Sequence, residues 1–308
     1  MYVTVPNVND FKDGTVSVID TTTNTVVGSQ IPVGNTPVDI AYDPVNKRMY
    51  VVNFHNSSVS VIDTTTNTVV GDPIKIGGTP RAIAYDPVND RMYADGDPPF
   101  SISHSTRASI YAIDTTTNSV VGNPIPVGGD PRDIAYDPVN KRMYVTGTDP
   151  NGSLTNFHPD NVSIIDTSTN TVIGSSIKVG GESQNIAYDP VNKRMYVTGW
   201  DTNFVNNIPS DNGTVSVINT TTNSVSSPIK VGNNPSAIVY DPVNKRMYVT
   251  NVRNSTLSVI DTTTSTVVAS PLKVENPANI ANIAYDPVNN RMYMTNFRNS
   301  TVSIINLC

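Results

Sequence analysis

The chain has 308 residues, 37% of them apolar and 15% charged, with a net charge of −6 and an isoelectric point near 4.9. Such a composition can bury a core and excludes a disordered tail or a long solvated helix, and the acidic balance disfavours nucleic-acid binding by the molecule as a whole. No apolar run reaches the roughly 18 residues that a membrane-spanning helix needs, and the lone cysteine, Cys308, excludes an intrachain disulfide.

In chain order, four short segments recur: A (IAYDP), B (RMYVT), C (VSVID) and D (TVVGxxIxV). The chain opens in B with "MYVTV", followed by a C segment ending at Asp20 and a D segment, "TVVGSQIPVG". Segment A then recurs at Tyr42, Tyr85, Tyr136, Tyr188, Tyr240 and Tyr285, and B at Met49, Met92, Met143, Met195, Met247 and Met292. The later C segments end at Asp63, Asp114, Asp166, Asn219, Asp261 and Asn306. B and C therefore occur seven times, A and D six.

Each segment is rich in Val, Ile, Thr and Tyr and bounded by turn residues, which is the pattern of a strand; no stretch carries a helical period. "YDPVNKRMY" reads as a hairpin. Asp43 accepts hydrogen bonds from the turn backbone, Pro44 presets φ within the turn, and Asn46 takes a left-handed conformation. "DTTTNT" repeats that logic with Asp20 and Asn24. Asp43 with Arg48, and Asp189 with Arg194, are expected to pair across their hairpins. Segments A to D then form one four-stranded antiparallel sheet. Four strands per period of 43 to 52 residues predict an all-β, seven-bladed β-propeller whose first and last blades are incomplete, with residues 1–308 as a single domain.

"RMYVTN", "TVSVIDTTTNTVV" and "IAYDPVN" resemble the YVTN β-propeller repeats common in archaeal surface-layer and bacterial secreted proteins, and the resemblance covers essentially the whole chain. It implies an extracellular or cell-surface protein acting as a binding or structural scaffold. Other surface-layer subunits or glycans are its expected partners, and a small-molecule ligand is compatible with it. Related seven-bladed propellers include lactonases and a metal-dependent lyase, so a propeller enzyme is the alternative. The resemblance specifies no cofactor. "MYVTVPNV" lacks the basic start and apolar run of a signal peptide, and no membrane insertion is expected.

The repeat breaks in the B–C loops. Blades 3, 4 and 5 carry "DGDPPFSISHSTRAS", "GTDPNGSLTNFHPDN" and "GWDTNFVNNIPSDNG", whereas blades 2, 6 and 7 have short loops. Insertions clustered on one face of a repeat protein mark a binding face. All three histidines, all six phenylalanines and the one tryptophan lie in B–C loops. Phe100, Phe157, Trp200 and Arg107 are the expected ligand contacts there. In the D–A loops, expected at the mouth of a central channel, Asp39, Arg81, Arg132, Asp133, Gln184 and Asn185 add polar groups. If the site is catalytic, His104 or His158 is the base and Arg81 or Arg132 the anion clamp. If a metal is held, its candidate ligands are His55, His104 and His158, although their spacing matches no zinc motif.

Overall fold

The turn YDPVN sets the architecture. The computed structural model describes residues 1–6, 13–96, 108–148, 160–200, 213–268, 272–274, 282–296 and 301–307, and the backbone alone of 204–205, 208–209 and 280–281. In the first such turn, Oδ1 of the buried Asp43 accepts the N–H groups of Val45 (2.9 Å) and Asn46 (3.1 Å), and Oδ2 accepts Asn46 Nδ2 at 2.8 Å. Burial pulls the Asp43 carboxyl upward, but the bonds from Asn46 and Val45 outweigh it and hold the group below the usual carboxylate range. The same arrangement recurs at Asp86, Asp137, Asp189 and Asp241.

Two details of this hairpin differ from expectation, for one reason. The left-handed position is occupied by Lys47 (φ 53°), not by Asn46. Asn46 instead spends its side chain on Asp43 and on Thr115 Oγ1 of the neighbouring blade, 3.3 Å away. Nor does Arg48 pair with Asp43, although the two stand opposite each other in the strand register. The Asp43 oxygens are already engaged by the turn, and Arg48 Nη1 reaches on to Thr115 O (3.1 Å) and Asn118 Oδ1 (3.3 Å). Arg194 likewise reaches Thr262 O and Ser265 Oγ. In "DTTTN" the expectation holds: Asn24, Asn67, Asn118, Asn170 and Asn223 take the left-handed position, with Ser265 in the sixth copy.

Each repeat builds one small antiparallel sheet in the order A-B-C-D, and the molecule is a seven-bladed β-propeller. Blade 3 is a complete example: Ile83–Asp86, Arg91–Gly96, Ser109–Asp114 and Ser119–Pro126. Blade 1 has three strands, Tyr2–Val5, Asp13–Asp20 and Thr25–Asn35, which are B, C and D. Blade 7 also has three, Ile280–Asp286, Arg291–Asn296 and Thr301–Asn306, which are A, B and C. In blades 2, 4 and 6 the D strand is split into two-residue pieces, as in Thr68–Val69 and Ile74–Lys75, both pairing with C. A left-handed glycine sits between the pieces in blade 2 (Gly71, φ 67°).

The chain divides into two compact units, Met1–Val145 with Ile164–Gly174, and Thr146–Ser163 with Ser175–Cys308. Within each, apolar residues form clusters between consecutive blades. In the first unit, Tyr50, Val52, Val59, Val61, Ile74 and Ile76 of blade 2 pack on Ile83, Met92 and Ile113 of blade 3. Met49 and Val51, one residue out of phase on the same B strand, face Val16, Ile31 and Val33 of blade 1. The two-residue period of a strand thus lets one sheet bury both faces. In the second unit, blade 5 packs on blade 6 through Tyr196, Val215 and Met247, and blade 6 on blade 7 through Leu257, Val259 and Met292. Each such buried side chain contributes about 1.5–3 kcal/mol.

Candidate functional site

The B strand of most blades ends in Thr followed by Asn or Gly, and the threonine has a fixed task. Thr198, Thr250 and Thr295 accept the N–H of Asn185, Ala237 and Asn282 on their own A strands at 3.0, 2.9 and 3.1 Å. Blade 3 reads "RMYADG", with Asp95 in the threonine's place. The longer side chain accepts two successive N–H groups at Oδ1, Arg81 and Ala82, both at 2.7 Å. The next amide, Ile83 N, donates to Asp39 Oδ2 of blade 2 at 3.0 Å. Three consecutive amides at the start of the blade 3 A strand are therefore held by two carboxylates.

Those carboxylates are not ordinary acids. Asp95 is fully buried and its Oδ2 has no hydrogen-bond partner. Burial pushes its carboxyl up to about 7, against the pull of the Ala82 and Arg81 amides and the Arg81 charge, and Asp39 adds to the rise. Burial also raises Asp39, to about 6, against the amides of Ile83 and Ile40.

The backbone so clamped carries an exposed arginine. The Arg81 guanidinium lies 5.3 Å over the Phe54 ring, and Phe54 meets His55 edge-on with centroids 4.9 Å apart. Nδ1 of His55 lies 2.9 Å from Thr36 Oγ1. Stacking on an aromatic face fixes a guanidinium without using its N–H donors. The arrangement is a cation presented to solvent on an aromatic ledge, its backbone N–H held by Asp95, with Asp39 holding the amide of Ile83 two residues on.

The other expected residues fall into three groups. Asp133 caps its own strand, accepting Ile134 N at 2.9 Å, while Asn185 accepts Ile238 N of the next blade at 3.1 Å. A rule is visible here: where the following blade has Ala at this position (Ala82, Ala237), the preceding Asp39 or Asn185 supplies the missing acceptor. Arg132 and Gln184 are half-buried at the starts of their A strands. Trp200 ends the blade 5 B strand opposite Glu182, and its Nε1 donates to Glu182 Oε2 at 3.1 Å. Phe100, His104, Arg107, Phe157 and His158 lie outside the described residues. Among the described residues, no group of three or more His, Cys, Asp or Glu side chains is placed to hold a metal, and no helix is long and apolar enough to cross a membrane.

Two features of this face escape a reading by loop length alone. Asp95 is detectable as a departure from the repeat. So is an exchange of Asn for Gly at the B-strand end: Asn53, Asn251 and Asn296 occur in the short-loop blades, Gly96, Gly147 and Gly199 in the long-loop ones. Each Asn donates to a serine of its C strand, at 2.9, 2.9 and 2.8 Å. A side chain at Gly96 would collide with Gly77 O and the Tyr111 ring, and one at Gly199 with Gly180 O. Glycine lets the D–A loop settle against the strand end, next to the insertion.

No family model and no curated protein matches the chain. Solved structures do share its fold. Kuenenia stuttgartiensis hydrazine synthase superposes with a TM-score of 0.78 at 20% identity, over 96% of this chain and 90% of that one. The β-propeller domain of Myceliophteria thermophila Cps50 (Swd1) does so with a TM-score of 0.72 at 12% identity, over 100% of this chain and 94% of that one. At such identities the likeness establishes the class, a seven-bladed β-propeller, and leaves function to the residues of the site.

Proposed function

We propose that this protein is a secreted or cell-surface propeller of the YVTN type that acts as a binding scaffold for small anionic ligands, acidic glycans foremost, through the loop face of blades 2 and 3. The observation that carries this reading is Arg81: exposed, stacked on Phe54, and fixed at its backbone by Asp95. A uronate or sulfated sugar offers a carboxylate or sulfate to the guanidinium and a C–H face to an aromatic ring. The acidic chain disfavours a long polyanion, so a short ligand fits better than a nucleic acid. The inserted loops bearing Phe100, His104, Arg107, Phe157 and His158 would wall the site, and other surface-layer subunits are further partners under this reading.

The test is a glycan array followed by calorimetry, with wild type beside Arg81→Ala and Phe54→Ala. Binding of acidic glycans, weakened at least about ten-fold by Arg81→Ala with the melting temperature nearly unchanged, is the expected result. Acidic-glycan binding that survives both substitutions would place the site elsewhere, and an array silent for every acidic sugar would end the ligand class.

One observation favours a catalytic variant, in which the site acts on a lactone or a related ester. Asp39 and Asp95 are neighbouring carboxyls raised to about 6 and about 7, the range in which a group exchanges protons near neutrality. There His104 or His158 would be the base, Arg81 or Arg132 the anion clamp. Hydrolysis of a lactone panel that His104→Ala and His158→Ala leave untouched would remove that variant.

A further inference from the structure

Two departures from the repeat meet in blade 3. At this level of the A and B strands, blade 4 sets Arg132 against Thr146, blade 5 Gln184 against Thr198 and blade 6 Ser236 against Thr250; blade 3 alone sets an arginine, Arg81, against an aspartate, Asp95. The two are joined through the backbone, Arg81 N–H donating to Asp95 Oδ1 at 2.7 Å, but not through their charged groups. The guanidinium makes no hydrogen bond or ion pair among the described residues and rests on the Phe54 ring. Oδ2 of the fully buried Asp95 has no partner either.

A guanidinium and a carboxyl that stand unpaired on neighbouring segments describe an aspartate that holds its proton. A buried carboxyl with one oxygen unmatched is tolerated as the neutral acid and is costly as an anion, unless a cation comes to it. The groups around Asp95 narrow the choice of cation. Asp39, from the blade 2 A strand, is itself a carboxyl and already accepts the amides of Ile83 and Ile40. Tyr111 of the blade 3 C strand lies beside Gly96. Arg132 and Asp133 open the blade 4 A strand, which packs on the same B strand, and His55 meets Phe54 edge-on. Burial lifts the Asp95 carboxyl to about 7; the Arg81 charge opposes that rise and Asp39 adds to it. Arg81 is therefore the cation whose charge Asp95 feels.

We propose that Asp95 gates the Arg81 site by exchanging its proton for the guanidinium. With Asp95 protonated, Arg81 lies out on Phe54 with its N–H donors open to an anion. When Asp95 releases its proton to solvent, the guanidinium leaves the ring and turns in to Oδ2, and the site closes. The methylene stem of arginine lets its head group fold back to the carboxyl that already holds its own amide. A carboxyl raised by burial keeps its proton below its folded range and loses it above, so the site is open in mild acid and closed in mild base. The regulatory meaning rests on the anion-binding reading of Arg81; the movement itself does not.

Nuclear magnetic resonance of the 308-residue chain at about pH 5.5 and about pH 8.5 tests both, since Asp95 changes its charge between them. Wild type should show the Overhauser contact between Arg81 Hδ and the Phe54 ring in acid and lose it in base, where the Arg81 Nε–H becomes bonded and slow to exchange. Asp95→Asn, and Asp95→Thr, which installs the residue most blades carry here, should keep the contact at both pH values. Inorganic sulfate at constant ionic strength is the ligand probe, followed through the Arg81 amide shift. Its affinity for wild type should fall about ten-fold across this range, the loss that a bias of about ten to one toward the closed form produces, and no more than about three-fold in either variant. A contact that ignores pH in wild type, or is lost equally in the variants because His55 or another group drives it, would overturn the gate. Sulfate bound equally well at both pH values by wild type would overturn it too, while leaving the anion-binding reading intact. A contact that switches through Asp95 in a protein that binds no sulfate at either pH supports the gate and removes that reading instead.

Discussion

At the scale of single residues, Asp95 shows how one departure from a repeat changes the chemistry. A threonine hydroxyl satisfies a strand-end amide without charge. Aspartate reaches two amides but brings a second oxygen that finds no partner in a buried place. Its folded acidity of about 7 lies above the unfolded value, so the native state retains a proton that the unfolded chain releases. Stability therefore falls as pH rises from about 4 to 7, and the loss is complete above that window. Asp95→Asn keeps an acceptor for Arg81 and Ala82 and removes the ionisation. It should match wild type near pH 4 and be more stable at pH 8 by on the order of 2–4 kcal/mol in urea titrations. A difference that does not change with pH would mean that Asp95 titrates as an ordinary carboxylate. The substitution itself is legible in "RMYADG". Its consequence is not, because the amides it meets belong to another strand.

At the scale of elements, the two monotonous turn motifs prove to be halves of one latch between blades. The B-strand tyrosine donates to the left-handed asparagine of the next blade's C–D turn, Tyr50 to Asn118 and Tyr93 to Asn170, each at 2.6 Å. Asn46 and Asn89 reach the first threonine of the same turns, Thr115 and Thr167. Tyr50→Phe removes only the hydroxyl, and chemical denaturation should show a loss of about 1–2 kcal/mol. Gly96→Ala should cost more, about 2 kcal/mol or above, because the new methyl meets Gly77 O and the packed Tyr111 ring rather than open space. Lys141, left-handed in an A–B turn (φ 54°), should gain several tenths of a kcal/mol on replacement by Asn, which tolerates that conformation better. These hairpins were legible in sequence because turn residues act within a few positions of one another. The roles of Arg48 and Asn46 were not, because their partners lie 67 and 69 residues away.

At the scale of the whole molecule, the fold predicts a far-ultraviolet circular dichroism spectrum without the helical double minimum, and a helix-dominated spectrum would contradict it. With a net charge of −6 and an isoelectric point near 4.9, solubility should be lowest close to pH 5, where the net charge vanishes. Sheets that are apolar on both faces leave each blade dependent on its neighbours. Loss of one interblade cluster should therefore be felt beyond the blade that carries the substitution.

By itself the sequence determined the all-β class, the A-B-C-D order, the seven blades and the incomplete first and last sheets. Period-two apolar patterns and turn residues are local and recur in every repeat, which places the strands and hairpins even though the left-handed position of the YDPVN turn falls on Lys47 rather than Asn46. Only the tertiary structure decided which polar side chains are committed to the fold. Asp39 and Asn185 cap the amides of a neighbouring blade, Arg48 and Arg194 bridge forward rather than across their hairpins, and Asp95 holds the backbone N–H of the exposed Arg81. A buried hydrogen bond goes to whichever donor the packing brings within about 3 Å. For Asp39, Asn185 and Arg48 the partner belongs to the next blade, 44, 53 and 67 positions away along the chain.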